Sequence, residues 1–280
     1  MAFPFYLAMT NAEYSTLEEK PPFCAWMACH FSPYGTGLSN LPKNLPAGSL
    51  LMVDDITPPH GHDPVLIAEQ LSMCVESLQC CGVLLDFQRP GCDETKVIAK
   101  QLTQALPCPV AVSASYADNL ACPVFLPPVP PSVPLEEHLF PWKGREIWLE
   151  TGLDGEVLTL TEQGCNVIPL PYPNYEADGF SDTGLHCHYT IETNEKNARF
   201  TLWRTKEDLE ALLKEAEKSG IVGYVGLYQE LQRLSLPPGE GGPKGRMRDR
   251  AHRKYGISLP RLHNGDIPAR FPHQSKIKDF

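Results

Sequence analysis

The sequence lacks the features that mark several large classes of protein. No apolar run approaches the roughly 20 residues that a membrane-spanning helix requires, and the N-terminal residues show neither the basic cluster nor the cleavage site of a secretory signal. No Gly-x-Gly-x-x-Gly or Gly-Lys-Ser/Thr loop follows a predicted strand, which argues against the common nucleotide-binding folds. The ten cysteines include no Cys-x-x-Cys pair, which argues against a zinc knuckle. We therefore expect a cytoplasmic protein with buried free thiols, no cofactor and no membrane partner.

The formal net charge of -10 is distributed unevenly along the chain. Residues 233–280 contain 11 Lys and Arg against 4 Asp and Glu, whereas residues 1–232 contain 13 against 30. An acidic body argues against a nucleic-acid groove, so we expect no nucleic-acid partner. From residue 237 the composition shifts to Gly, Pro and basic residues. We predict a folded domain at 1–236 and a basic extension at 237–280, and the sequence leaves the oligomeric state open.

Short apolar strands alternate with amphipathic helices over the acidic part of the chain. Asp63 and Pro64 form a helix start, and the residues that follow place apolar side chains at spacings of three and four. Thr205 begins a second clear helix. Near-continuous apolar strands indicate a parallel sheet, and about eight of them favour a closed (β/α)8 TIM barrel with some irregularity. The predicted strands over this part of the chain are 5–9, 23–29, 49–55, 83–86, 110–116, 123–126, 146–150, 188–192, 199–203 and 221–227.

Several shorter segments are predicted outside this regular alternation. The proline-dense stretch 127–134 is too restricted in its backbone for a helix or a central strand, so it is predicted to be a loop. Residues 165–185 are predicted to be irregular. The remaining prediction is a small hairpin of 157–160 with the strand at 146–150.

Carboxylates follow several of the predicted strands. In a barrel the carboxyl ends of the strands meet on one face, so these acids are expected to converge there. A pair of such acids can act as general acid and base, whereas the alternative role is to bind loop amides or Arg89 as structural supports. The acids concerned are Asp54, Asp55, Asp86, Glu150 and Glu230.

The stretch Cys81-Gly82-Val83-Leu84-Leu85-Asp86-Phe87-Gln88 resembles a known catalytic motif. Family 18 glycoside hydrolases, the chitinase-like barrels, carry Asp-Gly-x-Asp-x-Asp-x-Glu at the end of a barrel strand. Gly82 and Asp86 match that motif, whereas Cys81, Leu84 and Gln88 stand where the family has acids. The resemblance extends from residue 50 to 88, and again from 199 to 228, where a strand, a helix and a Gly-containing strand resemble the closing unit of the family.

The resemblance implies a TIM barrel with a carbohydrate cleft and an oligosaccharide or glycoconjugate as ligand. In the family, the terminal glutamate protonates the glycosidic oxygen, and the substrate's own N-acetyl group attacks with help from the neighbouring Asp. Gln88 cannot donate that proton, so general acid catalysis of about 10²–10⁴-fold is lost. Two readings stay open, a glycan-binding pseudo-enzyme and a hydrolase with a non-standard acid. The catalytic candidates are Asp86, Gln88, Asp55, Glu150 and Glu230.

Aromatic side chains supply further candidates for the cleft, because sugars stack through their C–H faces on aromatic rings. Tyr116 and Tyr228 follow predicted strands, and Asp54 lies at the end of another. The other aromatic candidates are Trp148, Trp203, Tyr172 and Tyr175. Aromatic residues are also ordinary core fillers, which is the alternative for each of them.

Two other functions are consistent with the sequence. Two His-x-His pairs, His60 with His62 and His186 with His188, could serve a metal-dependent hydrolase if further ligands joined them. The proline-rich loop at 127–134 and the basic extension could instead make the protein an interaction scaffold.

Overall fold

The structure is a computed structural model that describes residues 4–89, 92–153, 155–171, 173 and 178–231. The predicted basic extension at 237–280 lies outside the described residues, as do Tyr172 and Tyr175. None of the described helices is long and apolar enough to cross a bilayer.

The elements alternate along the chain much as the sequence predicts. In chain order the strands are β1 (Phe5–Met9), β2 (Ala25–Phe31), β3 (Leu38–Ser39), β4 (Leu50–Asp54), β5 (Gly82–Asp86), β6 (Val110–Ser113), β7 (Val124–Leu126), β8 (Ile147–Thr151), β9 (Gly155–Thr161), β10 (Gly164–Leu170), β11 (Phe180–Asp182), β12 (Cys187–Thr193), β13 (Asn197–Trp203) and β14 (Ile221–Leu227). The helices are α1 (Asn11–Thr16), α2 (Pro64–Leu78), α3 (Asp93–Ala105), α4 (Ala114–Ala117), α5 (Leu135–Leu139), α6 (Lys206–Ala216) and α7 (Tyr228–Leu231), with a 3-10 turn at Phe140–Trp142.

Eight parallel strands close into a barrel in the order β1-β2-β4-β5-β6-β7-β8-β14. The closing contact is the parallel pairing of β1 with β14. The short strand β3 runs antiparallel beside the end of β2. The prediction of a (β/α)8 TIM barrel is therefore confirmed, and so is its irregularity, because the helices after β6, β7 and β14 are only one turn or slightly longer.

The helix starts follow from local capping chemistry. The Asp63 side chain accepts a hydrogen bond from the backbone N–H of Val65 at the start of α2. Thr205 and Asp208 form a reciprocal capping box at the start of α6. In helix α3, Cys92 is the cap residue and Asp93 is the first helical residue.

The barrel interior is apolar up to the carboxyl ends of its strands. The buried interior side chains are Tyr6, Ala8, Ala25, Leu50, Met52, Leu84, Ala111, Phe125 and Val225. Side chains alternate along a strand, so the position after Met52 on the inner face is Asp54 and the position after Leu84 is Asp86. The two aspartates therefore take the place of core side chains at the mouth of the barrel.

A second sheet is inserted between β8 and α6. It is antiparallel, with the order β10-β9-β13-β12-β11. Three expectations are wrong here: residues 157–160 pair with β10 and β13 instead of β8, 165–185 contain β10 and β11, and 199–203 belong to this sheet instead of the barrel. The alternating burial of β9 suits a one-sided antiparallel sheet, whereas the barrel strands are apolar on both faces.

The proline-rich loop after β7 is attached to this second sheet. The guanidinium of buried Arg204 donates to the carbonyls of Val129 and Pro130, and Glu156 accepts from the backbone N–H of Ser132 at 3.0 Å. The loop suggested as an interaction segment thus makes extensive contacts within the chain itself.

Candidate functional site

Two neighbouring strands bring a pair of carboxylates together at the mouth of the barrel. Asp54 ends β4 and Asp86 ends β5, and the two residues are register partners in the parallel pairing of these strands. Adjacent strands lie about 4.8 Å apart, so side chains of register partners on one face are direct neighbours. The structure thus places these two strand-exit acids side by side at the ends of β4 and β5.

Asp86 is held by the side chain of Gln88, two residues further along the chain. The amide Nε2 of Gln88 lies 3.2 Å from Oδ1 and 3.3 Å from Oδ2 of Asp86, and it donates to the carboxylate. Burial raises the pKa of Asp86 to about 6, and the nearby charges of Asp54 and Asp55 act in the same direction, whereas the hydrogen bond from Gln88 opposes the shift. The carboxyl of Asp86 therefore exchanges its proton close to neutral pH.

Asp54 has a different set of hydrogen-bond partners. Its Oδ2 lies 3.1 Å from Nδ1 of His30, and its Oδ1 accepts from the backbone N–H of Ile56 at 3.1 Å. The amide Nδ2 of Asn40 lies 2.8 Å from Nε2 of the same imidazole. Burial raises the pKa of Asp54, and the hydrogen bond from His30 lowers it. The site thus contains a hydrogen-bonded chain from Asn40 through His30 to Asp54.

The sequence interpretation missed His30 and Asn40. It ended the second strand at Cys29, whereas β2 continues to Phe31 and places His30 at the carboxyl end of a barrel strand. His30 is also the register partner of Asp54 across the β2–β4 pairing. A polar residue at a strand exit was a usable signal for His30. Asn40 had none, because it is placed by the turn around β3.

Asp55 faces away from the barrel mouth and supports a loop. Its buried carboxylate accepts from the backbone N–H groups of Gln88 at 2.8 Å and Arg89 at 3.0 Å. The side chain of Arg89 donates back to the carbonyl of Asp55 at 2.7 Å. Ser113 helps from the next strand, accepting from the N–H of Phe87 at 2.8 Å. Asp55 therefore positions the backbone of Gln88, which matches the structural role weighed for it in the sequence.

Glu150 and Glu230 lie on the opposite part of the barrel wall. Glu150 follows Trp148 on the inner face of β8, which is three strands from β5 in the barrel order. Glu230 lies in α7, directly after β14, and its Oε2 accepts from the backbone N–H of Leu153 at 3.4 Å. Both acids are thus at the mouth of the barrel, but they are not part of the Asp54–Asp86 cluster.

The aromatic candidates occupy four different environments. Tyr116 is buried, with its ring edge against Phe87 and its hydroxyl donating to the carbonyl of Arg89. Trp148 lies inside the barrel, 5.6 Å from the ring of Tyr6. Trp203 is only 1% exposed and stacks on His188 in the second sheet. Tyr228 begins α7 at the barrel mouth and is half-buried. Of the four, only Tyr228 is both at the mouth and partly accessible.

The four histidines of the two His-x-His pairs are dispersed. His60 contacts Glu94, and His62 packs against Phe31 after β4. In the second sheet and its turn, His188 lies 2.7 Å from Asp208 and His186 lies 2.8 Å from Glu215. Within the described ranges, no three His, Cys, Asp or Glu side chains are grouped so that they could hold a metal ion.

The cluster at the ends of β2, β4 and β5 contains both hydrogen-bond donors and hydrogen-bond acceptors. Two carboxylates accept, the Gln88 amide donates and accepts, and the imidazole and the Asn40 amide lie beside them. Such mixed donors and acceptors suit the hydroxyl groups of a sugar. The position that carries the family's proton donor is occupied by Gln88, which has no acidic proton.

Comparison with known proteins agrees with this geometry at the level of the fold. No protein-family model and no curated protein matches the sequence. The spore cortex-lytic enzyme SleL of Bacillus cereus is similar in structure, with a TM-score of 0.52 and 12% identity over 83% of this chain and 74% of that one. A chitinase of Chromobacterium violaceum gives 0.50 and 10% over 80% and 93%.

A family 18 chitinase of Cycas revoluta, a double mutant in complex with (GlcNAc)4, gives a TM-score of 0.52 and 11% identity over 83% of this chain and 96% of that one. At such low identities the likeness establishes the fold. The chain has a (β/α)8 barrel like those of family 18 chitinases, in agreement with the resemblance seen in the degenerate motif.

Proposed function

We propose that this protein binds an oligosaccharide or glycoconjugate at the mouth of its barrel, through Asp86, Gln88 and Asp54. The observation that carries the proposal is the contact of the Gln88 amide with both oxygens of Asp86. This contact puts an amide beside the Asp86 carboxyl at the position where the glycosidase motif that the sequence resembles has its acid.

Binding is favoured over hydrolysis because of the chemistry of Gln88. A carboxamide does not release a proton in the accessible pH range, so the step that protonates a leaving oxygen has no donor at this position. An amide still forms two or more hydrogen bonds with hydroxyl or carbonyl groups. The Cycas revoluta chitinase that holds (GlcNAc)4 carries a glutamate-to-glutamine substitution, which supports the idea that a barrel of this kind retains sugars with an amide in place of an acid.

Hydrolysis with a non-standard acid is the second candidate, and one observation favours it. Asp86 has a pKa of about 6, so it carries a proton in mildly acidic solution. A carboxyl with this property can act as a general acid. Turnover of a glycoside by the unmodified protein, lost in Asp86→Asn, would favour this second function.

The proposal is tested by calorimetric titration of the protein with (GlcNAc)4 and with cellotetraose. We expect saturable binding of at least one of them, and Asp86→Ala should weaken it by about tenfold or more, since the hydrogen bonds between the Asp86 carboxyl and the sugar are lost. Asp118→Ala, at an exposed position after α4, is the matched control and should bind as the unmodified protein does. Absence of binding to either sugar, or equal affinity of Asp86→Ala, would contradict the proposal.

A further inference from the structure

Asp54 and Asp86 form a pair of inward carboxylates, and electrostatic repulsion opposes the ionisation of both at once. They are register partners at the ends of adjacent parallel strands, on the same face of the barrel wall. Like charges at such a spacing favour a state in which one member holds a proton. The partners of each carboxylate then decide which member that is.

The hydrogen bonds around the pair are unequal. Asp54 accepts from an imidazole and from the backbone N–H of Ile56, whereas Asp86 accepts from the side-chain amide of Gln88. The Asn40 amide nitrogen faces Nε2 of His30, so that ring nitrogen accepts and the proton of the neutral imidazole lies on Nδ1. His30 is thus oriented to donate to Asp54, which stabilises the ionised form of that carboxylate.

We propose that His30, held by Asn40, is a positioning residue that keeps Asp54 ionised and leaves the exchangeable proton of the pair on Asp86. This inference rests on the proposed oligosaccharide site and adds its regulation by pH. Asn40 orients His30, His30 donates to Asp54, and the negative charge of Asp54 makes the ionisation of Asp86 harder.

The charged and titratable groups around Asp86 also favour a proton on Asp86 and an ionised Asp54. His30 faces the pair from β2, and Asp54 and Asp55 contribute negative charge from β4. Glu150 is the inward acid of β8 across the barrel. Arg89 follows Asp86 in sequence, but its guanidinium is directed to the carbonyls of Asp55 and Ile56.

Protonation of Asp86 determines what the cleft offers to a ligand. With the proton present, Asp86 donates to an ether or carbonyl oxygen of the sugar while Asp54 accepts from a neighbouring hydroxyl. When Asp86 loses its proton, the donor is replaced by a second anion, and an acceptor oxygen of the ligand is repelled. The site therefore selects an uncharged saccharide that presents an acceptor oxygen beside a hydroxyl, and it binds this saccharide best while Asp86 holds its proton.

The first test follows the aspartate carboxyls directly, without a ligand. Carbon-13 carboxyl resonances are titrated by NMR in protein labelled at aspartate, with Asp54→Asn and Asp86→Asn used for assignment. In His30→Phe, which removes the donor, we expect the pKa of Asp54 to rise and that of Asp86 to fall, each by about one pH unit. His30→Asn, which retains a donor near the position of Nδ1, should restore the original order of the two pKa values, with that of Asp86 above that of Asp54. Unchanged titration of both carboxyls in His30→Phe would overturn the inference, whether or not the protein binds sugar.

The second test measures (GlcNAc)4 binding between pH 4.5 and pH 8. In the unmodified protein the affinity should fall by about tenfold per pH unit once Asp86 is ionised, whereas Asp86→Asn should give a flat profile. His186→Asn removes a comparable histidine–carboxylate pair, between the turn before β12 and helix α6, and should leave the profile unchanged. A flat profile for the unmodified protein, or a sloping one for Asp86→Asn, would overturn the inference. Absence of binding at every pH would overturn the proposed function instead, and the carboxyl titration separates the two failures.

Discussion

The side-chain amide of Gln88 donates to both carboxylate oxygens of Asp86, at 3.2 and 3.3 Å. This contact joins the last inward residue of β5 to the position at which the chitinase motif has its acid. The amide supplies a hydrogen-bond donor, and the half-buried carboxyl keeps an exchangeable proton.

Replacing Gln88 with the acid of the motif should create a proton donor. The introduced carboxyl of Gln88→Glu would lie within hydrogen-bond reach of Asp86, and repulsion between the two acids would raise the pKa of one of them. We expect hydrolysis of chromogenic chito-oligosaccharides in mildly acidic solution by this variant, at 10-fold or more above the unmodified protein. Gln104→Glu, on the exposed side of α3, is the control and should show no gain. Equal turnover by both variants would argue against a lost acid at position 88.

Asp86→Asn should stabilise the protein at neutral pH and not in acid. The folded-state pKa of about 6 lies above the ordinary aspartate value of 3.8, so the folded chain binds an extra proton between these values. Ionisation of Asp86 therefore costs stability as the pH rises through this window. We expect Asp86→Asn to raise the free energy of unfolding by about 1–3 kcal/mol at pH 7.5. Urea denaturation should show this gain vanishing below pH 4, and a gain that is the same at pH 3.5 and pH 7.5 would contradict it.

Asp55→Ala should loosen the backbone that carries Gln88. The substitution removes the acceptor for the N–H groups of Gln88 and Arg89. Groups left without a partner in a partly buried loop lower the free energy of unfolding, and we expect a loss of about 2 kcal/mol. Urea denaturation measures it, with Asp118→Ala as an exposed control that should stay within about 0.5 kcal/mol. A loss no larger than that of the control would show that Asp55 does not support the loop.

Gly223→Ala tests the position of Trp148. A Cβ at residue 223 would clash with the Trp148 ring, because three carbon atoms of the indole face this position of β14. Overpacking of this kind costs about 1–3 kcal/mol. Gly35→Ala, whose Cβ would meet only Ser32 at 3.8 Å, is the control and should have little effect in thermal unfolding. Equal melting temperatures for the two variants would mean that Trp148 is free to move toward the cleft.

The sequence predicts the barrel well because the responsible signals are local. The capping residues Asp63 and Thr205 and the apolar strands on both sides of them specify each unit independently. The second sheet was misplaced because cross-strand pairing, such as that of β9 with β13, joins residues far apart in the chain. Apolar alternation alone does not say which strand a segment will join.

Part of the candidate site could also be predicted from local signals, namely the polar residues at the ends of predicted strands. Asp54, Asp86 and Gln88 could be grouped because strand exits converge in a barrel. The opposite orientations of Asp54 and Asp55 depend on the exact register at the end of β4. The contribution of His30 required the true end of β2, two residues beyond the predicted one.

A crystal structure of the protein grown with (GlcNAc)4 at pH 5 tests the central claim most directly. The account predicts a sugar residue at the carboxyl ends of β4 and β5, with its oxygen atoms within 3.2 Å of Asp86 or Gln88 side-chain atoms, a distance typical of hydrogen bonds at about 2.7–3.2 Å. A sugar bound elsewhere on the protein, with the barrel mouth occupied by solvent alone, would contradict it.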